Sequence, residues 1–321
     1  MEVNFRRRFL YFAIGVLGSF LALGLGFSYL IYSPTSYVSE ENVILERAEQ
    51  SSRLARQLVD LGIAPNVFLA NATIYLMKCL GFTLKSGEYE LPAGVSLMGA
   101  LKILSSGQTV MHKITIPEGF SVAQVMERLD KNKFLLGTVT QLPMEGSLLP
   151  DTYLFKYPTT RQHIIKLAQK ALLRFIRREW PRRSAGCFLK TPMEVITLAS
   201  IVEKETSCER QQVAGVFLNR LRQNMKLQSC PTVIYSLKHG WPLGRKLTLL
   251  DLQTNSPHNT YQHHGLPPTP ISNPGPMSII AVLHPAATDY LFFVLGRNKM
   301  HVFSKTFQEH IRNKRLAKEG E

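Results

Sequence analysis

The chain has 321 residues, 45% of them hydrophobic, which is enough apolar material for one large or two modest cores and excludes disorder as the default. Its formal net charge of +15 would by itself raise nucleic acid as a partner. The four scattered cysteines show neither CxxC nor His-Cys spacing, which argues against a zinc site.

At the N-terminus Arg6-Arg7-Arg8 precedes Phe9 to Tyr32, an uncharged stretch long enough to cross a bilayer as a helix. It exceeds the core of a cleavable signal peptide, about 7 to 15 residues, and no Ala-x-Ala-like site follows it. A single-pass anchor over residues 9–32 is therefore expected, with 1–8 cytoplasmic because arginines stay inside, and everything after about Ser33 outside. That location removes most of the case for nucleic acid and makes anionic lipid or cell-wall polymer the better partner for the positive charge. It also permits disulfides among Cys79, Cys187, Cys208 and Cys230, although a core of this size needs none.

Beyond the anchor, apolar spacing predicts a helix around Leu45 to Leu61 and a second over Pro65 to Leu80. A weak repeat follows. Pro92-Ala93-Gly94-Val95-Ser96 and Pro117-Glu118-Gly119-Phe120-Ser121 each end an extended segment and offer a Ser to cap the next helix, as in small strand-turn-helix binding modules. Residues 143–158 read as loop, including Leu149-Pro150-Asp151-Thr152-Tyr153-Leu154-Phe155, and a domain boundary is placed near here, at 140/141. From Lys156 to Arg183 nine basic residues face the single Glu179, while Ile164, Ile165, Ala168, Leu172, Phe175 and Ile176 form an apolar stripe. This segment is an amphipathic helix whose basic back reads as a solvated face.

The next helix carries the most information. Thr191 caps it, Pro192 fits its first turn and Glu194 completes a capping box. Val195, Leu198, Ala199 and Val202 form a stripe facing a core. Glu203 and Glu205 fall on opposite margins, each about 80° from the stripe's centre, so the helical wheel alone leaves both open. A carboxyl in apolar surroundings keeps its proton to higher pH, as a general acid requires; the plainer alternative is that each Glu pairs with a basic residue. A helix through Val213, Val216, Phe217 and Leu221 follows, then a shape-defining loop from Pro257 to Pro276, then a hairpin over Tyr290–Leu295 and His301–Phe303. His258, His263, His264, His284 and His301 lack metal-ligand spacing, so neither a metal nor a cofactor is expected.

Ala199-Ser200-Ile201-Val202-Glu203-Lys204-Glu205-Thr206, Glu209-Arg210, Val216-Phe217-Leu218-Asn219-Arg220-Leu221 and Pro231-Thr232-Val233-Ile234-Tyr235 together resemble the MltG (YceG-like) family of endolytic murein transglycosylases. Gly265-Leu266-Pro267-Pro268, Asn273-Pro274-Gly275 and His284-Pro285 match in the same order, over roughly Gly87 to His310. The resemblance implies an α+β chain: a transmembrane helix, a small LysM-like α/β domain over 33–140 that would bind glycan, and a mainly helical, lysozyme-like catalytic domain with a β-hairpin over 141–321. It also separates the two carboxylates. Soluble lytic transglycosylases carry their catalytic Glu just before a Ser, and Glu205-Thr206 is similar, so Glu205 is the expected acid/base and Glu203 a supporting residue. Tyr235, Asn259, Thr260, Tyr261 and the segment around Asp151 are candidate groove residues, with structural packing equally open for each.

The implied function is cleavage of the MurNAc-GlcNAc bond of nascent peptidoglycan to leave 1,6-anhydro-MurNAc ends, which would limit strand elongation. The expected partners are glycan strands, membrane lipid and peptidoglycan synthases, at the bacterial inner membrane with the catalytic domain outside. One departure stands out. Where the family pattern reads Gln-Thr-Asp-Pro-Thr, this chain has Gln228-Ser229-Cys230-Pro231-Thr232, so a binding or scaffold protein with reduced or lost catalysis is the alternative.

Overall fold

The computed structural model describes residues 2–37, 43–45, 51–297 and 300–318. The uninterrupted apolar run near the N-terminus winds into α1 (Glu2–Tyr32); its segment Arg7–Tyr32 has a mean hydropathy of 2.0, with none of its most apolar stretch buried. It is long and apolar enough to cross a membrane. The chain then divides into two compact units, one of Met1–His112 with Phe155–Pro158 and one of Lys113–Leu154 with Thr159–Glu321. The division falls inside a strand and ahead of the expected 140/141, so the second strand-turn-helix copy groups with the larger unit.

In the first unit β1 (Val43–Leu45) pairs antiparallel with β2 (Gly87–Tyr89), and α2 (Ser51–Asp60), α3 (Val67–Cys79) and α4 (Leu97–Ser106) close over them. The expected helix from Leu45 begins later than predicted: Leu45 is in a strand, and residues 46–50 lie outside the described residues. Asn66 caps α3 through Leu69 N–H at 2.8 Å, and Ser96 caps α4 through Gly99 N–H at 3.1 Å, as its Pro-x-Gly turn predicts. Leu54, Leu58, Ile74, Tyr89 and Leu101 form the core, and Phe27 and Ile31 from the last turns of α1 pack into it.

In the second unit β3 (Met111–Ile116) is followed by α5 (Val122–Asp130), whose capping box joins Ser121 and Gln124, as the repeat predicts. β4 (Leu135–Leu136) pairs with β6 (Thr159–Thr160). The stretch read as loop contains β5 (Asp151–Lys156), a partner of β3, with Thr115 and Thr152 hydroxyls 2.9 Å apart. Its side chains are mostly exposed, which is why no apolar alternation marked it. α6 (Arg161–Glu179) buries Ile164, Ile165, Ala168, Leu172 and Ile176 as expected. Its first residue is no solvated cation: Arg161 donates to the carbonyls of Leu129, Asp130, Asn132, Leu135 and Gly137, holding the C-terminus of α5 and the turn beyond it.

α7 (Pro192–Glu205) begins at the predicted Thr191–Glu194 capping box, and Val195 to Val202 are all buried. It packs against α8 (Arg210–Arg222), α9 (Cys230–Lys238) and α10 (Pro276–Leu283). β7 (Phe292–Leu295) and β8 (His301–Ser304) form the expected hairpin, and α11 (Phe307–Lys318) closes the chain. The overall class is mixed helix and strand, as expected.

Candidate active site

Glu205 ends α7, where the buried stripe gives way to Thr206-Ser207-Cys208. It lines a cleft of about 450 Å³ together with Glu209, Phe293 and His301. Its carboxyl is enclosed by protein, and burial pushes its pKa above the ordinary carboxylate range. A bond from Ser229 and the electrostatic influence of His301 and Arg220 pull the other way, in that order.

The bond from Ser229 reveals how the site is assembled. Ser229 is the N-cap of α9, yet its hydroxyl makes no capping bond and instead donates to Glu205 Oε1 at 2.5 Å. It is held in that role by a buried set: Ser229 N–H donates to Thr260 Oγ1 at 3.0 Å, Thr232 Oγ1 lies 2.9 Å from Thr260 Oγ1, and Thr232 donates to Ser229 O at 2.6 Å. Among the described residues Glu205 Oε2 has no hydrogen-bond partner. Replacing Ser229 by Ala should lower kcat/KM about tenfold, the order of one hydrogen bond to an ionisable group. Because that bond lowers the Glu205 pKa, its loss should also move the alkaline limb of the pH–rate profile upward, which a steady-state pH series would read.

Around this acid stand groups the sequence reading left unassigned. Arg220, 7% exposed, donates to Leu291 O at 2.6 Å and Leu227 O at 2.8 Å, tying α8 to β7 and to the approach to α9. Buried Glu209 grips His301 through the ring Nδ1 at 2.6 Å and the backbone N–H at 2.8 Å, so the imidazole is fixed on the cleft wall. The sequence had shown His301 only as a rejected metal ligand and Glu209 only as part of a motif. Nothing local marks either, because they meet across 92 residues. Among the described residues no cluster of His, Cys, Asp and Glu could hold a metal ion.

The candidate residues divide. Glu203 has partners on both carboxylate oxygens: Gly275 N–H at 2.9 Å, Ser278 Oγ at 2.8 Å and Arg210 Nη2 at 3.3 Å. Thr260 and Asn259 are buried supports; Asn259 donates to Leu252 O and Thr254 O and accepts from Tyr261 N–H, shaping the predicted loop. Tyr261 feels the acid's charge: its hydroxyl is 3.2 Å from Cys230 Sγ, and burial, then Cys230 and the Glu205 charge, hold its pKa above the ordinary range. Tyr235 is not on the cleft wall; its hydroxyl donates to Glu145 Oε2 at 3.4 Å. Asp151 is exposed at the start of β5, accepts from Thr152 N–H and does not line the cleft.

Glu145 was missed as well. Burial pushes its carboxyl up to about 7, against bonds from Val122 N–H, Tyr235 and Gly146 N–H. An acid with a raised folded-state pKa is progressively penalised as pH rises from the ordinary carboxylate value through about 7. Glu145→Gln should therefore flatten that part of the stability–pH curve, read as melting temperature from pH 4 to 8.

Residues 43–316 match the YceG-like family. The chain belongs to the YceG-like family. It is 34% identical over 275 residues to the Endolytic murein transglycosylase of Bacillus subtilis, covering 74% of each chain. It is 28% identical over 280 residues to the protein of the same name from Streptococcus pneumoniae, covering 72% of this chain but only 50% of that longer one. The crystal structure of a YceG-like protein from Listeria monocytogenes superposes with a TM-score of 0.53 at 31% identity, covering 85% of this chain and 99% of that one. The YceG-like region thus takes in both units and the whole Glu205 cleft. Within it the departure at Cys230 touches Tyr261, while the hydrogen bond to the acid comes from Ser229.

Proposed function

We propose that the chain is an endolytic peptidoglycan lytic transglycosylase with Glu205 as its single acid/base. The observation that carries the reading is a carboxyl whose pKa is raised by burial at the wall of an open cleft, in a family whose curated members are named for this reaction. Protonated Glu205 donates to the oxygen leaving C1 of N-acetylmuramic acid as the glycosidic bond breaks through an oxocarbenium-like state. As carboxylate it then takes the proton from the same sugar's C6 hydroxyl, whose oxygen closes on C1 to give the 1,6-anhydro ring. Because the nucleophile is intramolecular, its effective concentration is high and no second carboxylate is required to activate water. This accords with Glu203 being committed to Gly275, Ser278 and Arg210. Ser229, by donating to Oε1, fixes the carboxyl plane, and His301 and Arg220 favour the carboxylate that forms in the first half of the reaction.

The stretch over 33–140 we assign to holding glycan, resting on its resemblance to LysM-like domains, and that over 141–321 to lysozyme-like catalysis. α1 we assign as an anchor in the bacterial cell membrane, with residues 1–8 cytoplasmic and the cleft outside, beside the synthases whose nascent strands it shortens.

The test is mass spectrometry of the fragments that the full chain, in detergent, releases from purified peptidoglycan. Internal fragments with anhydromuramic ends are expected. Reducing ends would mean hydrolysis by water, and no product from folded protein would favour the binding or scaffold reading that Cys230 raises.

A further inference from the structure

Away from the Glu205 cleft, the second unit carries a cavity of about 550 Å³ whose walls include Trp241, Phe120, Lys113, Arg128 and Lys131. Its construction is specific. α9 ends with His239 and Gly240 both in the left-handed region, at φ 49° and 89°. A side chain on Gly240 would come within 2.7 Å of Ser121 Cβ, so only glycine lets this turn approach the start of α5 closely enough to present Trp241 there. The indole is 37% exposed. Arg128 on α5 donates from Nε to Thr115 O at 2.6 Å, which fixes the guanidinium while both terminal nitrogens are without a partner among the described residues. Lys113 likewise has no partner for its ammonium among them, and Lys131 is balanced by Glu127 at 2.7 Å. The cavity thus combines an open aromatic face with a pre-aligned fork and a second uncommitted cation.

We propose that this cavity is a distal subsite for an anionic saccharide: a sugar ring of the strand stacks on Trp241 while the carboxylate of its peptide substituent is held by Arg128 and Lys113. An aromatic platform suits the apolar face of a sugar, and a bidentate guanidinium suits a carboxylate better than a neutral hydroxyl does. α9 links the two places physically. Ser229, at its start, holds Glu205, and the Gly240 turn at its other end carries Trp241, about 14 Å away along a nine-residue helix. A strand lying along α9 would occupy both at once, so the subsite selects long, peptide-bearing strands over short or bare ones. The inference rests on the glycan-cleaving reading above.

The experiment uses the full chain in detergent on long glycan strands, either bearing their peptides or stripped of them by an amidase, with the lactyl carboxylates this exposes then converted to neutral methylamides. Arg128→Gln should raise KM about tenfold on peptide-bearing strands, the order of one charge-assisted hydrogen bond, with kcat unchanged and no effect on stripped strands. Trp241→Ala should raise KM on both kinds of strand, and Trp241→Phe should restore it. If Arg128→Gln lowers the melting temperature, Lys113→Gln, which breaks no contact among the described residues, replaces it with a smaller shift of the same kind. An unchanged KM on peptide-bearing strands, or an equal rise on stripped strands, overturns the subsite while leaving the cleavage reading intact. Should the wild type release no product, the cleavage reading fails and binding decides the subsite. In a Trp180→Phe chain, where Trp241 is the one remaining tryptophan, peptide-bearing strands must then change its emission, and a flat titration overturns the proposal.

Discussion

Replacing Glu205 by Gln is expected to reduce release of anhydromuramic ends by about 10²- to 10⁴-fold, the range for loss of a positioned acid/base. The amide keeps the shape and can accept the Ser229 hydroxyl, so the fold persists, but it has no proton to give to the leaving oxygen. The variant should also differ in stability, in a direction the site dictates. The folded-state pKa of Glu205 is raised, so the unfolded chain gives up its proton first; the resulting penalty is absent below the ordinary carboxylate pKa and grows as pH rises through the folded value. Glu205→Gln should therefore melt higher than wild type at pH 8 and close to it at pH 4. Equal activity in the variant, or a lower melting temperature at pH 8, would remove Glu205 from the role given to it.

Glu203→Ala should behave in the opposite way. Its side chain is 7% exposed and serves three donors at once: the backbone N–H at the start of α10, the Ser278 hydroxyl and the Arg210 guanidinium. Removing it leaves Arg210 short of its closer carboxylate, with Glu118, at 3.6 Å, the one other carboxylate near it among the described residues. Breaking a buried pair of this kind costs about 3–5 kcal/mol. In a unit of this size the melting temperature should fall by about 10 °C. Residual activity should scale with the folded fraction, so kcat per folded molecule stays near wild type. A large loss of kcat without loss of stability would instead give Glu203 a direct part in the reaction.

These contrasting fates bear on what a reader of the sequence can see. The helix carrying both glutamates was legible down to its cap, because Thr191, Pro192 and Glu194 are local signals that fold locally. So were the Ser96 and Ser121 caps and the terminal hairpin. The periodicity of α7 placed both carboxylates on margins and could go no further, since what distinguishes them comes from elsewhere in the chain: Gly275 and Ser278 for Glu203, Ser229 for Glu205. Ser229, two residues before Pro231, has the residue type of an ordinary cap, and only the fold shows its hydroxyl diverted to the acid. Asn259 and Thr260 were singled out as candidate groove residues. Their burial makes them builders of the loop, a distinction residue type alone does not carry. β5 and α10 were missed for a related reason: one is too exposed to alternate, and the other is an eight-residue apolar run too short to show a helical period.

Ile31 sits in the core of the first unit, with Phe27 packed against it, although both belong to α1. The end of the long helix is therefore packed as part of that unit. Whatever layer the preceding apolar residues enter, the first unit must ride directly on its surface, like a head on a post rather than a float on a line.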